Sequence, residues 1–489
     1  MSVRPGRPFQ IVQVNLQADR GGDGRIVSSL RDRYQALGYS TSLLVGRGAV
    51  PPGGNLLQQD AYRSRWARAW LGDGERKTVP GMRRSRFVKL KSWIAEPRRR
   101  RRVRDGYEDF EFPATLPEIS RAIRGGPSIL HLHNLHGGYF DLRTLPRLSA
   151  LAPVVLTIHD QWAFTGHCAH SFECDRWTIG CGECPDLTTY PAIPRDRTAE
   201  NFLTKQAIFA RTKLHLAAPS KWLMEKAERS LLWSAIVEKR IIPNGVDTST
   251  FSPGEMEAER IGLDLPTGSR IVLCAGAAAR SSRWTNQELF RSTVGYLAHK
   301  GPSDITLVLL GSERSFEERI EGLRVIHRPY EQDVTKVAAY YRASDVYLHP
   351  ARADTFPTAV LESLACGVPV VATDVGGIPE QITSLLGAGN AQASPRTKAT
   401  GVLVDPGDAT SLGRAIEMLM LDDDLRRSLG ENGARKATSE FSINLQAQRY
   451  LDWYQEILSE HPWRAHPVAQ RTATQTPAPP RRRTSPPRT

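Results

Sequence analysis

No stretch of the 489 residues approaches the run of about 20 apolar residues that crossing a bilayer requires. The opening residues, MSVRPGRPFQIVQVNL, carry neither an apolar signal core nor a cleavage site, so the expectation is a cytoplasmic protein. Cysteine is scarce, six in all, and in a reducing compartment that excludes a disulfide framework. Acids are in deficit, 52 against 65 Lys and Arg, which gives a net charge of +13. The surplus is local. Sixteen Lys and Arg against three acids lie between Ala61 and Arg104, and the tail from Arg464 adds six Arg and no acid. No nucleic-acid-binding module surrounds the Arg98–Arg102 run, which argues against nucleic acid as a partner. What is present is an ordinary globular composition, 40% hydrophobic and 24% charged, over a length that implies two or three domains.

The chain is organised around Asp345 to Glu380, DVYLHPARADTFPTAVLESLACGVPVVATDVGGIPE. Val346-Tyr347-Leu348 predicts a strand, Ala351 to Pro357 a loop, Thr358 to Ala365 a helix stopped by Gly367, and Val368 to Thr373 a second buried strand. Such a βαβ unit binds ligands at the carboxyl ends of its strands. That edge carries Asp354, the helix-start residues Thr355, Phe356, Pro357 and Thr358, and Glu362 within the helix. Helix-start amides and their dipole suit a diphosphate. Ionised carboxylates only accept hydrogen bonds, which suits the hydroxyls of a sugar and a ribose. Taken singly, Asp354 reads as well as a helix-start carboxylate, and Glu362 as a solvated helix residue.

The whole stretch resembles the signature of retaining glycosyltransferases of family 4. These have the GT-B fold, two facing Rossmann-like domains. The family usually shows Glu, seven residues and Glu; here Asp354 and Glu362 keep the spacing with a shortened first acid. The resemblance implies an α/β chain of two doubly wound domains with a nucleotide-diphosphate sugar in the cleft between them. It places Asp354 and His159 by the transferred sugar and Glu362 on the ribose, with Gly21 and Gly22 closing over the donor. It implies that the departing phosphate takes the acceptor's proton, with no cofactor and no divalent cation. No Asp-x-Asp motif lies in a suitable loop, and the Asp422–Asp424 run sits beside a C-terminal helix. The segments His133 to Phe140, HNLHGGYF, and Thr157 to Cys168, TIHDQWAFTGHC, resemble a bacterial subgroup of exopolysaccharide and colanic-acid-type transferases. In that subgroup they form the acceptor side, and the acceptor is expected to be a glycan, a lipid-linked precursor or another hydroxyl compound.

In chain order, residues 1–245 are expected to form the acceptor-side domain, opening with a strand over Phe9–Leu16, the glycine cluster 21–24 and a helix from Ile26. A basic insertion of about 50–107 interrupts it. Trp66, Trp70 and Trp93 among its arginines suit either an anionic membrane surface or a solvated excursion packed on the domain. A second excursion, 164–194, holds Cys168, Cys174, Cys181 and Cys184, and Cys181-Gly182-Glu183-Cys184 has the spacing of a zinc knuckle. A structural zinc and a set of buried or redox-active thiols are both open readings. A linker over 246–269 leads to the nucleotide-sugar domain, 270–440. A helix over 441–460 is expected to cross back to the first domain, and 461–489 to be disordered.

One departure stands out. Family members carry Arg and Lys in a Gly-Arg…Lys-Gly pattern after the first strand of the second domain. Here the segment from Ala275 has no Lys-Gly, and Arg280 and Arg283 are the nearby cations for the diphosphate. Two other classes therefore stay open: a catalytically silent GT-B binding or scaffold protein, and a GT-B sugar-nucleotide epimerase.

Overall fold

The computed structural model describes residues 9–18, 21–50, 52, 54–57, 96–123, 126–276, 286–389 and 391–460. The tryptophan-bearing part of the basic insertion, Arg280, Arg283 and the tail 461–489 lie outside them. Two seven-stranded sheets carry the fold. The first contains β1 (Gln10–Asn15), β2 (Ser40–Val45), β3 (Gly54–Leu56), β4 (Ser128–Leu132), β5 (Val154–Thr157), β6 (Leu214–Ala218) and β7 (Ile236–Ile241). Its order is β3-β2-β1-β4-β5-β6-β7, parallel throughout. The second contains β8 (Arg270–Ala275), β9 (Ile305–Ser312), β10 (Phe316–Ile320), β11 (Leu323–Pro329), β12 (Val346–His349), β13 (Val370–Thr373) and β14 (Gly401–Val404). Its order is β10-β11-β9-β8-β12-β13-β14, and only the β10–β11 edge pair is antiparallel.

Burial explains the parallel pairing. Every residue of β4, β5, β9, β12, β13 and β14 is buried, as expected of strands covered by helices on both faces. Both sheets reverse strand order at their centre, between β1 and β4 and between β8 and β12, and such reversals open a crevice at the carboxyl edge. Four elements differ from the sequence reading. β3 and β10 carry no apolar run; Phe316–Ile320 is largely exposed and pairs only as a hairpin edge. The sequence predicts a strand over Arg240–Ile242, whereas β7 begins at Ile236, because it alternates half-buried and exposed residues as an edge strand does. The first helix begins at Gly21 rather than Ile26, which places Arg25 on its surface.

Two chain crossings join the halves. Val246 N–H donates to Phe441 O at 2.7 Å and Ile443 N–H to Val246 O at 2.9 Å, so the outgoing and returning segments run side by side. The returning helix, Ile443–Glu460, buries Tyr450, Leu451, Trp453 and Tyr454 in a cluster with Ile11 of β1 and Ile129 of β4. Its tyrosines also satisfy buried polar groups: Tyr454 Oη lies 2.6 Å from His131 Nδ1, and Tyr450 Oη 2.8 Å from Thr157 Oγ1. The basic Pro97–Arg104 helix contributes no buried residue. Among the described residues no helix is long and apolar enough to cross a membrane.

Candidate functional site

The loops that follow β1, β4 and β5 on one sheet, and β8 and β12 on the other, enclose one cavity of about 550 Å³. Gly21 and Gly22 open the helix after β1 and line it. A Cβ on Gly22 would stand 3.3 Å from Thr358 Oγ1, a tight contact, so the first half comes close to the second half's helix start across the cleft. The β12 loop is braced from behind by the glycine pair that closes the motif. Gly376 adopts φ +60°, and a Cβ there would collide with the Asp354 carbonyl.

Asp354, Thr355, Phe356, Pro357 and Thr358 all line the cavity. The Asp354 carboxylate is about a third exposed and sits 3.4 Å from His349 Nε2. Thr355 Oγ1 donates to His159 O at 2.7 Å, a direct bond between the halves, and Asn244 Nδ2 donates to Phe356 O at 3.2 Å. The amide set differs by a shift along the chain. Pro357 has no N–H and occupies the N-cap of the Thr358–Ala365 helix, without a side-chain cap. The helix-start amides are therefore those of Thr358, Ala359 and Val360, rather than Thr355 to Thr358.

His159 lines the same cavity, with Nε2 3.1 Å from His133 Nδ1. Burial lowers its pKa, so the ring is neutral near pH 7. Glu362 departs from the reading of a solvated helix residue. It is 7% exposed rather than solvated, and it is absent from the described wall of the cavity. One helical turn behind Thr358, its carboxylate takes Arg25 at 3.5 Å and accepts from Tyr341 Oη at 3.1 Å. Burial raises its pKa, against the pull of Arg25. Arg25 also reaches Tyr330 Oη at 3.2 Å, so this guanidinium from the first half is seated wholly on the second.

Sequence reasoning missed Arg25, since a helix read from Ile26 gave it no face. It also gave no role to Asp23, Arg47 and Tyr190, which line the cavity. Arg47 is the Lys or Arg found on that wall among the described residues; Arg280 and Arg283, expected there, are outside them.

The four cysteines Cys168, Cys174, Cys181 and Cys184 are free, and with His167 they line one narrow cavity of about 20 Å³. His167 Nε2 stands 3.4 Å from Cys184 Sγ, and Gly166 N–H donates to Cys181 Sγ at 3.3 Å. Burial pushes the Cys168 thiol up to about 12 and Cys181 and Cys184 to about 11. Among the described residues, no three His, Cys, Asp or Glu side chains converge as a formed metal site.

Residues 256–436 match the family described as glycosyl transferases group 1. A protein of Escherichia coli (strain K12) described as a colanic acid biosynthesis glycosyl transferase, WcaC, is 30% identical over 274 residues, covering 52% of this chain and 62% of its own. A D-inositol 3-phosphate glycosyltransferase of Corynebacterium jeikeium (strain K411) is 27% identical over 237 residues, covering 45% of this chain and 52% of its own. The chain thus spans between about half and under two thirds of these relatives' lengths. Among solved structures, a sucrose-phosphate synthase from Thermosynechococcus elongatus superposes with a TM-score of 0.61 at 19% identity, over 92% of this chain and 100% of its own. HepE of Anabaena in complex with UDP-glucose gives 0.55 at 14% identity, with 92% and 100% covered. At those identities the likeness speaks for the fold. Two facing, mostly parallel sheets of this order are the GT-B architecture, and residues 256–436 within it are a group 1 glycosyl transferase domain.

Proposed function

We propose that this protein is a retaining glycosyltransferase of family 4 that moves a sugar from a nucleotide-diphosphate sugar to a hydroxyl acceptor without a catalytic metal. The observation that carries the reading is the single cavity in which the uncapped helix start at Thr358 faces Gly22 of the opposite half. Uncapped amides at the positive end of a helix dipole favour a diphosphate, and Gly22 lets the backbone approach it. Asp354 and the neutral His159 both line that cavity, which supports the reading that they hydrogen-bond the transferred sugar. Retention and metal independence rest on the sequence signature, in which the departing phosphate takes the acceptor's proton. A glycan or lipid-linked acceptor fits the colanic-acid relative. The basic helix Pro97–Arg104, which buries none of its residues, fits an anionic membrane surface.

A thermal-shift screen against UDP-, GDP- and ADP-sugars tests the donor claim. Saturation with the right donor at about a hundred times its Kd stabilises the fold by about 2.7 kcal/mol, a shift easily read. No shift with any of the three classes removes the proposal.

One observation favours a second reading, a GT-B protein that binds without transferring. The carboxylate assigned to the ribose is already engaged by Arg25. The ribose must displace or share that guanidinium, and formation of glycosylated product separates the two readings.

A structural zinc in the cysteine cavity belongs to the same proposal. Its support is that four thiols and His167 share one small cavity, with His167 Nδ1 3.0 Å from Pro191 O, which turns Nε2 toward the sulfurs. Zinc would draw the sulfurs in to about 2.3 Å from the metal. Metal analysis of the purified protein should find about one equivalent; less than about a tenth means the thiols serve as buried side chains.

A further inference from the structure

The donor reading leaves unused a line of side chains on the opposite wall of the cavity. Asp160, at the end of β5, is fixed by Trp162 N–H, which donates to Oδ1 at 2.9 Å. Its Oδ2 lies 2.7 Å from His136 Nε2. Burial alone would raise the Asp160 pKa, but His136, the Trp162 amide and His159 together more than offset this and keep the carboxyl ionised. An ionised carboxylate only accepts, so His136 Nε2 carries the proton and Nδ1 points onward. Nδ1 stands 3.4 Å from Tyr190 Oη. His136 is 6% exposed and held, whereas Tyr190 is 46% exposed and lines the cavity. The backbone of Tyr190 is tied down in turn, since Ala169 N–H donates to its carbonyl at 2.7 Å.

We propose that Tyr190 is the acceptor-binding residue of this cavity, with Asp160 and His136 as positioning residues that aim its hydroxyl, and that it takes a hydroxyl of a neutral sugar unit. The assignment rests on the glycosyltransferase reading above. An aromatic ring beside carboxylates suits the mixed apolar and hydroxyl faces of a pyranose. Among the described residues, Asp23 and Asp160 offset the charge of Arg47 and His136 on this wall, which disfavours a phosphate- or carboxylate-bearing unit. The bond that forms is acceptor oxygen to the anomeric carbon, and the bond that breaks is anomeric carbon to diphosphate. The acceptor's proton leaves with the diphosphate. Tyr190 keeps its own proton and only orients the incoming oxygen.

The test uses the full chain with the donor found by thermal shift, and octyl glucoside, octyl galactoside and octyl mannoside as acceptors. Tyr190→Phe keeps the ring and removes the hydroxyl. It should raise the acceptor KM about tenfold, the effect of one lost hydrogen bond, while the donor KM holds within about twofold. Asp160→Asn should move the acceptor KM the same way. An acceptor KM within about twofold of the unaltered protein in Tyr190→Phe, or a donor KM that rises in step, overturns the assignment. So does transfer to none of the three glycosides by a chain that hydrolyses its donor. Donor binding tests the underlying glycosyltransferase reading by itself, so the two can fail separately.

Discussion

Asp354→Asn should lower sugar transfer by about 10²- to 10³-fold, the usual loss for one aimed polar group at a reacting centre, with the melting temperature almost unmoved. The side chain is about a third exposed and sits 3.4 Å from His349 Nε2, so replacing it with the uncharged amide of the same shape buries no new charge. The loop is held instead by backbone: Gly377 N–H donates to Asp354 O at 3.2 Å, and Thr355 Oγ1 bonds across to His159 O. Glu362→Ala should differ in kind. It strips Arg25 and Tyr341 of their shared carboxylate and weakens a contact between the halves, so transfer and stability fall together. Steady-state rates beside thermal melts on both variants read the contrast. Asp354→Asn with near-normal turnover would exclude that carboxylate from the reaction.

This contrast was only half legible in the sequence. The strand–loop–helix–strand run from Val346 to Thr373 declared itself through apolar runs, a helix of small residues and Gly367, because each boundary there is set by local chemistry. The doubly wound architecture followed from the resemblance that unit carries. What depended on distant partners stayed hidden. Whether Glu362 faced water or Arg25 turned on where the first helix begins, and a glycine-rich start conceals that boundary. His136 and Asp160 sit on loops from two different strands, and only the parallel pairing of β4 with β5 brings them to 2.7 Å. Edge strands β3 and β10 escaped for the opposite reason: their pairing is local, but their residues are not buried enough to leave a pattern.

The largest stability effect should come from Lys205, whose side chain is fully buried. Its Nζ lies 2.9 Å from Glu108 Oε2 and donates to the carbonyls of Trp162 at 2.8 Å and Thr165 at 3.0 Å. It also stands 3.8 Å from the centre of the Trp162 ring. One ammonium thus gathers the segment after the basic insertion, the loop after β5 and the root of the cysteine excursion. Lys205→Met leaves Glu108 buried with only Trp162 Nε1–H at 2.6 Å to meet it, and breaking a buried pair in this way costs about 3–5 kcal/mol. Adding Glu108→Gln removes the stranded charge, so the double variant should recover much of that loss. Urea unfolding of the three proteins supplies the comparison, and additive losses would mean that the two charges do not act as a pair. Because Lys205 holds the backbone at Trp162, whose amide fixes Asp160, the single variant should also blur the acceptor wall before it reaches the donor side. At temperatures where Lys205→Met is still folded, acceptor KM should therefore rise ahead of any change in donor KM.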